Sequence, residues 1–169
     1  CGSEAFHRKA REGIPSHLQA VWEPLLETIE AITEQIRGYN KRIEEIAGTR
    51  YPETAALCQV GGVGTLTALA FVLTLEDHRR FRKSRAVGTY VGLTTRQDQS
   101  GQSDRQMPIT KSGDVGLRWL LVQSAHYILG PFGKDCDLRR WGEALVARGG
   151  RAAKKRAVVA VARRLAVLL

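Results

Sequence analysis

Hydrophobic positions in the first third of the chain recur with one rhythm. Leu18, Trp22, Leu25, Ile29, Ile32, Ile36, Tyr39, Ile43 and Ile46 follow one another in alternating steps of four and three. A 3.5-residue repeat held this long predicts a helix over 14–50 with a narrow apolar seam, the pattern of coiled coils and helix hairpins. Pro24 lies inside the pattern, so the helix is expected to start near Glu23 or to kink there. Gly48 and Pro52 are the expected stop. Residues 1–13 are expected to be a cut end or linker. The alternative for the seam is a helix packed on its own domain. Its length favours a partner, either another copy or the missing upstream chain, and a homo-oligomer through residues 18–46 is expected.

The pattern changes at Leu57. Leu57, Val60, Val63, Leu66 and Ala68 frame the glycines of Gly61-Gly62-Val63-Gly64-Thr65. This has the form of a helix-hairpin-helix, with the second helix starting near Thr65. Glycine permits positive φ and close approach of another backbone. A helix start offers free N–H groups to a phosphate, which makes Gly62, Gly64 and Thr65 candidate phosphate contacts. An ordinary glycine turn is the alternative. After it, Ser84 can cap a short helix to about Val91, stopped by Gly92. Residues 94–113 are polar and turn-rich, and are expected to form a loop or a small β-hairpin. Helical periodicity returns with Leu117, Leu120, Leu121, Ser124 and Ile128, capped by Ser112 or Asp114 and ended by Gly130-Pro131. Leu138, Trp141 and Leu145 suggest a further helix. A last one runs from about Ala152 to Leu169, burying Val158, Val161, Leu165 and Leu168. The chain therefore reads as mainly α: a long coiled-coil-like helix, then a helical domain over 55–169.

Charge divides the chain at the same place. The 169 residues carry 26 Lys+Arg against 17 Asp+Glu, a net charge of +9. Residues 1–56 sum to −2 and residues 57–169 to +11. A field this positive on one part implies an acidic partner, with nucleic acid the leading candidate. Arg79, Arg80, Arg82 and Lys83 sit in one basic run around Phe81, and Lys154, Lys155 and Arg156 open the last helix. With Arg96, Arg105, Lys111 and Arg118 they are the candidate phosphate contacts. Cys1, Cys58 and Cys136 form no CxxC pair, so neither a zinc site nor a disulfide framework is suggested, and a reducing cytoplasm fits best. The apolar stretches fall short of a membrane span. The start Cys1-Gly2-Ser3, without Met or a signal pattern, reads as a cut end of a longer protein.

The ordered blocks Gly62-Val63-Gly64-Thr65-Leu66-Thr67-Ala68, Arg80-Phe81, Tyr90-Val91-Gly92-Leu93-Thr94, Ser100-Gly101, Ile109-Thr110-Lys111-Ser112-Gly113, Leu117-Arg118-Trp119-Leu120-Leu121 and Val158 to Leu165 carry a resemblance. Residues 55–169 resemble the carboxy-terminal domain of insertion-sequence transposases of the IS one-ten and IS116 type, the bridge-RNA-guided serine recombinases. Gly61 stands where that family usually has Pro, and Asp114 where it usually has Asn. The resemblance implies a longer bacterial or archaeal protein with an amino-terminal RuvC-like domain that holds Mg²⁺, a coiled-coil link, then this domain. It implies DNA as substrate, a guide RNA as partner, and a serine that joins a DNA phosphate. By motif position that serine is Ser100, with Ser103 as rival. No metal site is expected in residues 1–169, and the piece is expected to bind nucleic acid without recombining it alone. The alternative is a non-catalytic helix-hairpin-helix module on a coiled-coil oligomerisation arm. A third possibility, a base-excision glycosylase using Asp77, is disfavoured by the arginine run beside that residue.

Overall fold

The structure is a computed structural model that describes residues 5–100 and 103–169, without the side chains of residues 98–106. Ser100, Ser103 and Arg105 as side chains, with Gly101 and Cys1, therefore lie outside the described residues. The fold is mainly α, with one two-stranded sheet among the described residues. It divides into two compact units, Cys1–Ile46 and Ala47–Leu169.

In the first unit, helix α1 (Phe6–Gly13) precedes a long helix α2 (Ser16–Arg50). The expected linker thus contains a helix, and that helix is paired. Arg11 donates to Glu23 at 2.9 Å and to Glu30 at 3.3 Å. These bonds, Glu23 foremost, raise the Arg11 guanidinium pKa above the ordinary arginine value. His7 and Leu26 are buried. The face of α2 that α1 engages, through Glu23 and Glu30, is not the apolar seam. Trp22, Leu25, Ile32, Ile36 and Tyr39 all remain about half exposed or more.

Helix α2 runs from Ser16 through Pro24 to Arg50, close to the expected 14–50; of the two alternatives at Pro24, a start near Glu23 is not the one taken. Proline removes one backbone donor; the ion pairs from Arg11 to Glu23 and Glu30 tie down the turns on either side. Gly48 keeps helical geometry, and the helix ends at Arg50, just ahead of the Tyr51-Pro52 step that disfavours helix.

In the second unit, α3 (Thr54–Leu57) is a single turn that packs on α4 (Thr65–Leu75) across the glycine turn. A 3-10 turn (His78–Arg80) and α5 (Arg85–Tyr90) lead into strands β1 (Thr95–Ser100) and β2 (Ser103–Ile109). The strands pair antiparallel, with Ser100 opposite Ser103 and Thr95 opposite Ile109. Their register slips between Thr95 and Gln97, opposite Met107 and Pro108, where proline has no N–H for the ladder.

Helices α6 (Val115–Leu129), α7 (Asp137–Ala147) and α8 (Ala153–Leu168) complete the unit. Asp114 caps α6 by accepting from the Leu117 N–H at 2.6 Å, so it is the cap and Ser112 is not. The carboxy-terminal α8 is central: it packs on α5, α6 and α7. Small residues allow this. Ala157, Ala162 and Ala166 are buried, and a Cβ on Gly142 of α7 would meet Val161 and Leu129 at 2.7 Å. Leu117, Leu121, Val161 and Leu165 are fully enclosed, with Phe71, Leu75, Val87 and Val91 around them. Leu168 departs from expectation. It is 61% exposed, because the last turn of α8 overshoots the core.

Candidate nucleic-acid interface

The glycine turn is built from one required glycine rather than three. Gly62 has φ +88, and a Cβ there would lie 2.8 Å from the Ile128 side chain. Gly64 is extended, with open space at its Cβ, and Gly61 likewise meets nothing. Gly64 is the N-cap of α4 and offers no side chain to its first N–H groups. Thr65 is the first residue of the helix, where the spacing places it.

The basic run is less uniform than its composition suggests. Arg80 lies over both Phe81 and Tyr90, 5.5 and 5.2 Å from the ring centres, and sits 3.7 Å from Glu76. Phe81 and Tyr90 meet edge to face at 5.3 Å. Arg80 thus ties the 3-10 turn to α5 with a guanidinium that is still 44% exposed. The Arg79 N–H is held by Asp77 at 2.9 Å, while its side chain and those of Arg82 and Lys83 are exposed.

Three blocks that are separate in sequence converge at the root of the β-hairpin. The Thr110 N–H donates to Thr94 O at 2.9 Å, and the Lys111 N–H to Gly92 O at 3.1 Å. Gly92 (φ +73) and Gly113 (φ +78) allow the chains to meet backbone on backbone. A Cβ on Gly92 would collide with Ser112, and one on Gly113 with the Tyr90 carbonyl. Arg118 closes the latch: its Nη1 donates to Val91 O at 3.1 Å and to Ser112 O at 2.9 Å. One of its guanidinium nitrogens therefore serves the fold as well as any phosphate. Lys111, at φ +57, is exposed on this root, and Arg96 is exposed on β1. The motif glycines signal this latch in the sequence, yet composition gives Gly92 and Gly113 no role of their own.

The last basic group opens α8. Lys154, Lys155 and Arg156 are exposed in its first turn, after Gly149 and Gly150 with positive φ. Arg156 reaches back to Gly149 O at 3.5 Å. Farther along, Arg164 stacks on Trp141 at 4.7 Å, which ties α8 to α7. Among the described residues, no three His, Cys, Asp or Glu form a cluster able to hold a metal ion. Among them, too, no helix is long and apolar enough to cross a membrane.

Residues 54–132 match the family described as Transposase IS116/IS110/IS902. The chain is 31% identical over 153 residues to the transposase for insertion sequence element IS1111A of Coxiella burnetii, covering 90% of this chain and 40% of that protein. It is 33% identical over 113 residues to the transposase for insertion sequence element IS1328 of Yersinia enterocolitica, covering 66% and 33%. It is 35% identical over 93 residues to a probable family 20 transposase of Pseudomonas aeruginosa, covering 54% and 28%. The chain thus spans two fifths or less of the length of these relatives.

Proposed function

The chain carries a transposase domain of the IS116/IS110/IS902 family, and from this premise we propose that it is the DNA-binding, nucleophile-bearing carboxy-terminal part of an insertion-sequence transposase. The observation that carries the reading is the convergence of the family's glycine blocks at the root of one polar hairpin. That hairpin carries Ser100 on β1 opposite Ser103 on β2. The helix-hairpin-helix around Gly62, Gly64 and Thr65 grips the phosphate backbone without reading bases. Arg79, Arg82, Lys83, Arg96, Lys154, Lys155 and Arg156 extend the positive surface. Arg80, Arg105, Lys111 and Arg118 complete the set of phosphate contacts.

In the reaction, the serine oxygen forms a bond to phosphorus as a bridging P–O bond of the DNA breaks. The serine proton passes to a base, and the departing sugar oxygen takes up a proton. A neutral hydroxyl is a weak nucleophile, so activation and charge stabilisation are needed. The described residues do not offer a carboxylate cluster for this. The family resemblance assigns Mg²⁺ to a RuvC-like domain outside residues 1–169, and a guide RNA to the same longer assembly in the cytoplasm. The seam of α2 joins copies of the chain.

The test is substitution in the longer protein. Ser100→Ala abolishes the covalent protein–DNA adduct and recombination while DNA binding persists. Ser103→Ala leaves the adduct in place. If the adduct disappears only in Ser103→Ala, the rival serine is the nucleophile. If neither substitution changes recombination, the chain is the non-catalytic binding module on an oligomerisation arm.

A further inference from the structure

Beside the glycine turn, the second unit holds an open cavity of about 450 Å³. Its size falls within the range of about 300–1,000 Å³ typical of small-molecule sites, the scale of one nucleotide rather than of a duplex. Gly62, Val63 and Gly64 border it on one side and helix α6 on the other. Val63, Leu120 and the half-exposed Tyr127 ring give it apolar walls.

Two of its lining groups stand out. Thr67 is only 7% exposed and Ser124 only 5%, and both line the cavity. Neither hydroxyl has a hydrogen-bond partner among the described residues. Both oxygens are reached by solvent rather than sealed away, and a ligand entering the cavity takes the place of water as their partner. Gln123 adds an amide at the rim. The uncapped start of α4 lies at Gly64, on the same border.

We propose that this cavity receives one unstacked nucleotide of a DNA strand. The base lies against Val63, Leu120 and the Tyr127 ring. Its polar edge meets the Thr67 and Ser124 hydroxyls and the Gln123 amide, and its phosphate sits at the first turn of α4. An apolar protein side chain in the same place would leave both hydroxyls unpaired. The +11 charge of residues 57–169 favours an anionic ligand. The inference rests on the proposed nucleic-acid binding and adds a base-sized subsite to it.

The experiment titrates the 169-residue chain with three labelled probes of equal length: a duplex, one of its strands alone, and the same strand without its bases. The intact strand is expected to bind about tenfold more tightly than the abasic one, in keeping with stacking on an aromatic ring. In Thr67→Val, Ser124→Ala and Tyr127→Ala that ratio falls towards one. Gln123→Ala, at an exposed position, weakens it too and keeps the test informative if a buried variant fails to fold. If the duplex binds with steep salt dependence while intact and abasic strands bind equally, the cavity assignment falls and the phosphate reading stands. An undiminished ratio in all four variants also overturns the assignment. If no probe binds, both readings fall together.

Discussion

Gly92 and Gly113 work by what they lack. Each has a positive φ, and each brings its backbone against the other's neighbours, so an added methyl has nowhere to go. Gly64 is the opposite case, extended and open. Gly92→Ala and Gly113→Ala should therefore each cost at least about 2 kcal/mol, from left-handed strain plus the clash. Gly64→Ala, with open space at its Cβ but at the N-cap of α4, should cost less, about 0.5–1 kcal/mol. Urea unfolding of the three variants checks this, and equal losses at all three would remove the latch. At this scale the sequence is legible in kind but not in use. Arg80 and Arg118 count as charges in a composition, and only the packed chain shows one over two rings and the other on two carbonyls. Thr67 and Ser124 look like ordinary helix residues until the turn at Gly62 sets a cavity beside them.

Elements and many of their ends are legible in local sequence chemistry, and the contacts between elements are less so. The seam of α2, the start of α4 at Thr65, the cap at Asp114 and the stop at Gly130 all follow from local chemistry, and all stand where the pattern puts them. The misses have one cause, tertiary contact overriding a local signal. Proline at 24 is carried through a helix that α1 holds by ion pairs on both sides. Residues 6–13 hold a helix whose few apolar positions hide its pairing. Leu168 keeps the helical period but passes the edge of the core. Leu165→Ala should therefore cost about 2–5 kcal/mol as a buried truncation. Leu168→Ala should cost under about 0.5 kcal/mol, and thermal melts separate the two. The exposed seam carries its own prediction. Sedimentation should show the chain self-associating as concentration rises, and Ile32→Asp with Ile36→Asp should return it to monomer with helicity intact. A monomer at every concentration would sink the pairing.

Across the molecule, charge and fold divide at nearly the same place. The unit Cys1–Ile46 holds the seam and the paired carboxylates, and Ala47–Leu169 holds the basic surfaces. Affinity for duplex DNA is thus expected to be set by counterion release. Several phosphate contacts together should weaken binding by about 10³ or more between 50 and 200 mM salt. Lys154→Ala and Lys155→Ala should each lower the slope by about one unit, since each removes one contact. A flat salt response would refute the interface. The latch at the hairpin root has a mechanical consequence for such a complex. Strand ends fastened main chain to main chain, and bolted by an arginine to the helix beneath, leave the ribbon no swivel of its own. Fitting a target to it is then a matter of bending and untwisting the nucleic acid. Stiff and pliable base steps of equal charge should be told apart by the energy that bending demands of them.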